Sequence, residues 1–234
     1  MKLSHKLAKL GQPLTYRRAW RRAERHLHPI SYNAIVAGID PARLAEIKAR
    51  YADSTEHYAK YADVQRWIRL NIERAQDLKL QRSNPKSILD LGCGCGFFLL
   101  VAQQLGHSGV GLDADGFPLF GELLDLFKVD RRILMIEPFQ PLPDLGRKFD
   151  LVTAFSVEFN RKGEWWWGPR EWAFFLDDLA RLLNPGGQVF LGLNPGKDKQ
   201  FYTPELRDFF VSRGASVERE NVLFPSLSSR SVKA

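Results

Sequence analysis

The sequence predicts an α/β fold: a mostly parallel sheet with helices on both faces, preceded by an α-helical N-terminal extension. Two observations carry the prediction. From Ser87 onward, apolar runs of strand length alternate with helix-length periodic segments, and that alternation calls for crossover connections between parallel strands. Upstream, the chain shows helical periodicity instead. At 234 residues it is long enough to bury one sizeable core with a small appendage. The expected division is a basic helical extension over residues 1–85, acting as a lid, and a ligand-binding domain over 86–234.

The elements follow in order. YRRAWRRAERHL sets Tyr16, Ala19, Trp20, Ala23 and Leu27 along one helical stripe with arginines on the other face, which reads as a basic amphipathic helix. Asp40 followed by Pro41 is a cap and first-turn proline opening ARLAEIKAR. A long helix is expected from Ser54 to Leu80, turning Tyr58, Tyr61, Val64, Ile68 and Ile72 toward apolar surface, and SNPKS ends it. Then come SILDL, FFLLVAQQL, GVGLDA, FPLFGELLDLF, RRILMI, FDLVTAFS, PREWAFFLDDLARLL, QVFLGLN, TPELRDFFVSRG and SVERENVLF, strand and helix in alternation. Trp172, Leu176 and Leu179 have ordinary core spacing on their helix.

Charge is unevenly spread. Residues 1–30 hold eight Lys or Arg against a single Glu, which accounts for the whole net charge of +7. The basic arm has three readings: a helix capping the ligand cleft, an attachment to an anionic membrane surface, or a phosphate-binding arm for RNA. No window approaches the length of apolar sequence that a membrane span needs, and the N-terminus has no apolar signal-like stretch. A soluble, cytoplasmic protein is therefore expected. Cys93 and Cys95, one residue apart, are poorly placed for a disulfide and lack the further ligands of a tetrahedral zinc site. They read as small loop residues, and no metal is expected.

In a sheet of this kind the ligand lies outside the carboxyl ends of the strands, where strand order reverses. The loop after the first strand is ILDLGCGCGFFL. A dinucleotide loop follows G-x-G-x-x-G, but here the glycines fall at 92, 94 and 96, with Phe97 where the last glycine belongs. Asp90 stands two residues before the first glycine. It would repel a pyrophosphate and favour an ammonium or sulfonium group, so this loop prefers a ligand with a positive end.

These residues resemble motif I of the class I S-adenosylmethionine-dependent methyltransferases, a family with a Rossmann-like sheet. VGLDAD, MIEPF, FDLVTAFS and LLNPGGQVFLGLN continue the resemblance in order, over about residues 86–214. It implies S-adenosylmethionine as cofactor, held by Asp90, Gly92, Gly94, Gly96, Asp113, Ala114 and Glu137. Asp113 would take the ribose hydroxyls and Glu137 the adenine amino group. Asp113 also suits the ribose on its own chemistry, since a carboxylate at a strand's end can accept from two hydroxyls; the alternative is that Asp113 and Asp115 cap the next helix. Glu137 reads equally as a solvated loop carboxylate, because Pro138 lacks the N–H that would help hold an adenine.

SVEFNRKGEWWWGPREW leaves the fourth strand beside the expected reaction centre. Trp165, Trp166 and Trp167 are expected to line a substrate pocket, or else to cover the domain against its N-terminal helices. Glu158, Asn160 and His57 are the candidates for taking the acceptor's proton. The expected activity is methyl transfer to oxygen of a small molecule or glycan-like acceptor. The alternatives are an RNA methyltransferase using the basic arm and a catalytically silent cofactor-binding module.

Overall fold

A computed structural model describes residues 20, 22–161 and 165–227, and the side chains of Asn160, Arg161, Trp165 and Trp166 lie outside what it describes. The expectations for Tyr16 and Ala19, and six of the arm's eight cations, fall outside the described residues.

Strand β1 (Ser87–Leu91) is central, flanked by β2 (Ser108–Asp113) and β4 (Phe149–Phe155). The sheet extends through β3 (Arg131–Ile133) on one side and through β7 (Leu183–Gly192), β9 (Asn221–Phe224) and β8 (Ser216–Glu218) on the other. All neighbours from β3 to β7 are parallel, and β9 runs antiparallel to both of its partners. A separate two-stranded ribbon pairs β5 (Asn160–Arg161) with β6 (Trp165–Trp166). Helices Phe97–Gln104, Pro118–Phe127 and Pro169–Leu182 make the crossovers between the parallel strands. The fold is the predicted Rossmann-like, mostly parallel α/β sheet.

Alternate residues of the central strands feed two cores, as strand pleating requires. Ile88 and Leu151 join Phe98, Leu99 and Leu123 on one face; Leu89 and Val152 join Trp172, Phe175 and Leu176 on the other. The first core continues into the N-terminal region, where Ile35, Ile47, Val64, Ile68, Ala75 and Leu80 are all buried. Residues from Ile35 to Leu80 thus form a covering layer on one face of the sheet. Among the described residues, no helix is long and apolar enough to cross a membrane.

The structure departs from the sequence reading at several places. The helix expected over Ser54–Leu80 begins only at Val64, after a 3₁₀ turn at Ala59–Ala62, and ends at Asp77. The Asp63 carboxylate accepts the Arg66 N–H at 3.3 Å, and such a cap starts a helix wherever it is satisfied. SVERENVLF is not one strand but a hairpin, turning at Arg219 with φ of 51°. The sequence leaves the orientation of the N-terminal helical segment open. Trp20 is 68% and Leu27 72% exposed, while Glu24 and Arg25 make the contacts. Arg25 pairs with Glu73 at 2.6 Å and Asp77 at 2.7 Å, and Glu24 pairs with Arg82 at 2.9 Å. The Val64–Asp77 helix spends its apolar face, Ile68 and Ile72, on the core around the Phe97–Gln104 helix and offers Glu73 and Asp77 outward. The segment docks with its charges and leaves its apolar stripe in solvent.

One consequence of the packing is a stability difference between two glycines. A Cβ on Gly111, in β2, would stand 2.7 Å from the Cys93 Cβ and closer still to its sulfur, whereas one on Gly121, in the Pro118–Phe127 helix, meets nothing within 4 Å. Gly111→Ala is expected to lower the unfolding free energy by about 1–3 kcal/mol through overpacking. Gly121→Ala should raise it by roughly 0.5–1 kcal/mol through helix propensity. Urea unfolding of the two variants checks both signs.

Candidate ligand-binding site

The chain proceeds from β1 through β2 to β3 on one side, then crosses to β4 on the other. The reversal lies at the carboxyl end of β1, where the glycine loop leaves the sheet. Gly92, Gly94 and Gly96 adopt φ of +65°, +55° and +75°, a region that disfavours other residues. Their surroundings differ. A Cβ on Gly92 would meet Val157 at 2.5 Å, and one on Gly96 would meet Leu124 at 2.7 Å and Val129 at 3.1 Å. At Gly94 only the Phe120 ring, at 3.9 Å, comes within range. The outer two glycines therefore permit packing within the protein, and the middle one leaves space open beside Phe120.

Asp113 closes this loop from β2. One carboxylate oxygen accepts the Gly94 N–H, and the other accepts the N–H of Ala114 at 2.8 Å. It does not cap the next helix, whose first residue is Pro118 and whose N-cap, Phe117, makes no side-chain bond; Asp115 instead lies 3.6 Å from Arg131. Burial raises the Asp113 pKa, and the two backbone N–H bonds and Arg131 act against it. Each oxygen already holds one donor and keeps capacity for another.

Asp90 is buried, 3% exposed, and accepts the Thr153 hydroxyl at 2.6 Å. Burial pushes its pKa up to about 7, against the Thr153 hydrogen bond and the Arg74 guanidinium. Arg74 comes from the Val64–Asp77 helix. It donates to the Asn71 side chain at 3.1 Å, and its guanidinium carbon sits 4.4 Å from the Phe155 ring centroid. Burial lowers its pKa, opposed by Asp90 and Tyr61. Tyr61 packs edge-on to Phe120 at 5.4 Å, and its pKa is raised by burial and by its neighbours Cys95 and Asp113. His57 and Tyr58 contact Phe117 at 5.5 and 5.4 Å, so the extension lies over the segment that follows β2. Cys93 and Cys95 are buried free thiols with pKa values driven upward by burial.

The remaining candidates are more dispersed. Glu137 lies beyond the end of β3, exposed, and accepts the Gln140 amide at 2.6 Å. Glu158 is exposed just past β4. Asn160 pairs with Trp166, and Arg161 with Trp165, in the β5–β6 ribbon. Trp167 is buried against Phe159 and Trp172, 5.0 and 5.4 Å away, and with them lines a narrow cleft that Val157, Asn194 and Phe201 complete. Among the described residues, the buried Trp172 indole N–H has no hydrogen-bond partner. Val157 thus touches both the motif I loop and this cleft.

Sequence reasoning missed Arg74 and did not assign Tyr61 to the site. A signal for Arg74 exists: Trp67, Asn71 and Arg74 fall at helical spacing along one edge of the buried stripe, so a cation was directed inward.

The chain is similar in sequence to known proteins. The chain is 29% identical over 135 residues to a tRNA U34 carboxymethyltransferase of Idiomarina loihiensis, covering 52% of this chain and 39% of that protein. It is 25% identical over 175 residues to a ubiquinone biosynthesis O-methyltransferase of Rhodopseudomonas palustris, covering 69% and 64%. Among solved structures, DesVI of Streptomyces venezuelae aligns with a TM-score of 0.49 at 15% identity, over 79% of this chain and 98% of that one. No protein-family model matches the chain. The chain spans 39% and 64% of the lengths of these two curated relatives. With motif I and the later segments in order along a Rossmann-like sheet, the chain is similar to these curated transferases and resembles the class I S-adenosylmethionine-dependent methyltransferases.

Proposed function

We propose that this chain binds S-adenosylmethionine at the carboxyl ends of β1 and β2 and transfers its methyl group to an oxygen of a small-molecule or glycan-like acceptor. The observation that carries the reading is the convergence of open space at Gly94 with Asp113, the buried Asp90 carboxyl and the half-buried Arg74 guanidinium that acts on it electrostatically. When bound, the cofactor supplies an electrophilic methyl group on a sulfonium.

The chain's own residues then have distinct tasks. Asp113, oriented by the Gly94 and Ala114 N–H groups, accepts from the ribose hydroxyls with its remaining lone pairs. Glu137, on the rim, faces the adenine amino group. Asp90 and Arg74 offer the negative and positive partners that an α-amino acid end requires. The segment around His57, Tyr58 and Tyr61 covers the site as a lid and excludes water, which strengthens those interactions. The acceptor enters at the Val157–Trp167 cleft, where Glu158 is best placed along the chain to hold its proton.

O-methyltransferase relatives that match 69% and 67% of this chain, against 52% for a tRNA-modifying one, favour a small acceptor. The tRNA-modifying relatives support RNA as the second reading. Incubation with methyl-labelled cofactor and fractionated cell extract separates them. Label in the low-molecular-weight fraction is expected, label in RNA would replace the first reading with the second, and no label in any fraction would contradict both.

The reading also fixes a pH dependence. Asp90 has a pKa raised to about 7 without ligand, and a cationic ligand stabilises its ionised form. Binding therefore expels a proton below that value, and affinity falls as pH falls through 7 while staying level above it. Calorimetry with the product S-adenosylhomocysteine is expected to show affinity about tenfold lower at pH 6 than at pH 8, with heats that depend on buffer ionisation at the lower pH. A flat profile would remove Asp90 from contact with the ligand.

A further inference from the structure

We infer that the N-terminal helical segment is a docking face for an anionic lipid bilayer, with Trp20 and Leu27 seated at the headgroup boundary. The orientation of the segment carries the inference. An amphipathic helix attached to its own domain ordinarily turns its apolar stripe inward. This one does the reverse. Arg25 is clamped by Glu73 and Asp77, Glu24 by Arg82 and Lys79, and the Gln76 amide donates to the Arg25 and His28 carbonyls at 3.1 Å each. These contacts hold the polar face down and leave Trp20, Ala23 and Leu27 exposed, with Arg22 and His26 exposed beside them.

Charge selects the occupant. The first 30 residues carry seven surplus positive charges by sequence, so this part of the chain is repelled by a second copy of itself and attracted to an anionic surface. RNA would satisfy the cations, and a base could stack on Trp20, but it gives an exposed leucine nothing. An anionic bilayer satisfies both: phosphates at the interface meet Arg22, while Trp20 and Leu27 enter the boundary between headgroups and acyl chains. The inference is independent of the cofactor reading, because neither Trp20 nor Leu27 belongs to that site.

The test is sedimentation of the full chain with phosphatidylcholine vesicles, either pure or doped with phosphatidylglycerol, at low and high salt. Binding is expected only to the doped vesicles, weakening as salt rises. Arg22→Gln should weaken it roughly fivefold through its charge. Trp20→Ser with Leu27→Ser keeps the charge unchanged and touches no core residue; it should weaken binding by about tenfold or more. Absence of vesicle binding overturns the inference. So does vesicle binding that the double variant leaves intact, since that would be charge attraction alone. RNA binding that exceeds vesicle binding and ignores the double variant would assign the face to nucleic acid instead.

Discussion

Gly94→Val is expected to abolish S-adenosylmethionine binding while the protein remains folded. The three loop glycines share a left-handed backbone, but only at Gly94 would a side chain project into space the protein itself leaves empty. A valine there fills the volume that the ligand needs beside Phe120. Its cost to the fold is the backbone strain of a β-branched residue at φ of +55°, about 1–2 kcal/mol. Gly92→Val and Gly96→Val supply the contrast. Their side chains would run into Val157, or into Leu124 and Val129, and both variants should lose several times more stability than Gly94→Val. Thermal unfolding alongside cofactor titration separates the two classes. A Gly94→Val protein that binds normally would mean that the ligand lies elsewhere.

The second large effect is expected at Arg74. Its guanidinium is fixed by Asn71 and the Phe155 ring and is one of the groups opposing the burial of Asp90. Arg74→Met should weaken S-adenosylmethionine binding by about 2–5 kcal/mol, the range for truncating one partner of a buried hydrogen-bonded charge pair, here Arg74 with the carboxylate of the cofactor's amino-acid end. It should also push the Asp90 pKa further up, moving the pH inflection above 7. Methylthioadenosine, which lacks the amino-acid end, makes the effect specific: the variant should bind it as the unaltered protein does. Equal losses for both ligands would mean that Arg74 only props the lid.

The site divides according to how local its signals are. Asp90, the glycines and Asp113 could be read from the sequence because a strand, a turn and the next strand's end fix them within a short stretch of chain. Asp113 showed its place at the carboxyl end of β2 but not its hold on the Gly94 N–H, which depends on the register of β1 with β2. Arg74 and Tyr61 reach the site through packing of the extension on the sheet, and a helical stripe alone does not say what it will face. The same limit explains Trp20 and Leu27. Their periodicity was evident, but which face docks was decided by Glu73 and Asp77 on a helix far away in sequence. The β5–β6 ribbon and the β8–β9 hairpin were hidden for another reason, since their strands are too short to show alternation.

The most direct measurement is calorimetric titration of the intact protein with S-adenosylmethionine and, separately, with NAD. Buried Asp90 stands where a dinucleotide's pyrophosphate would approach the loop, and Phe97 replaces the glycine that a pyrophosphate loop requires. Saturable binding of S-adenosylmethionine at one site, with no heat from NAD, is the predicted result. Saturable binding of NAD with no response to S-adenosylmethionine would contradict the account.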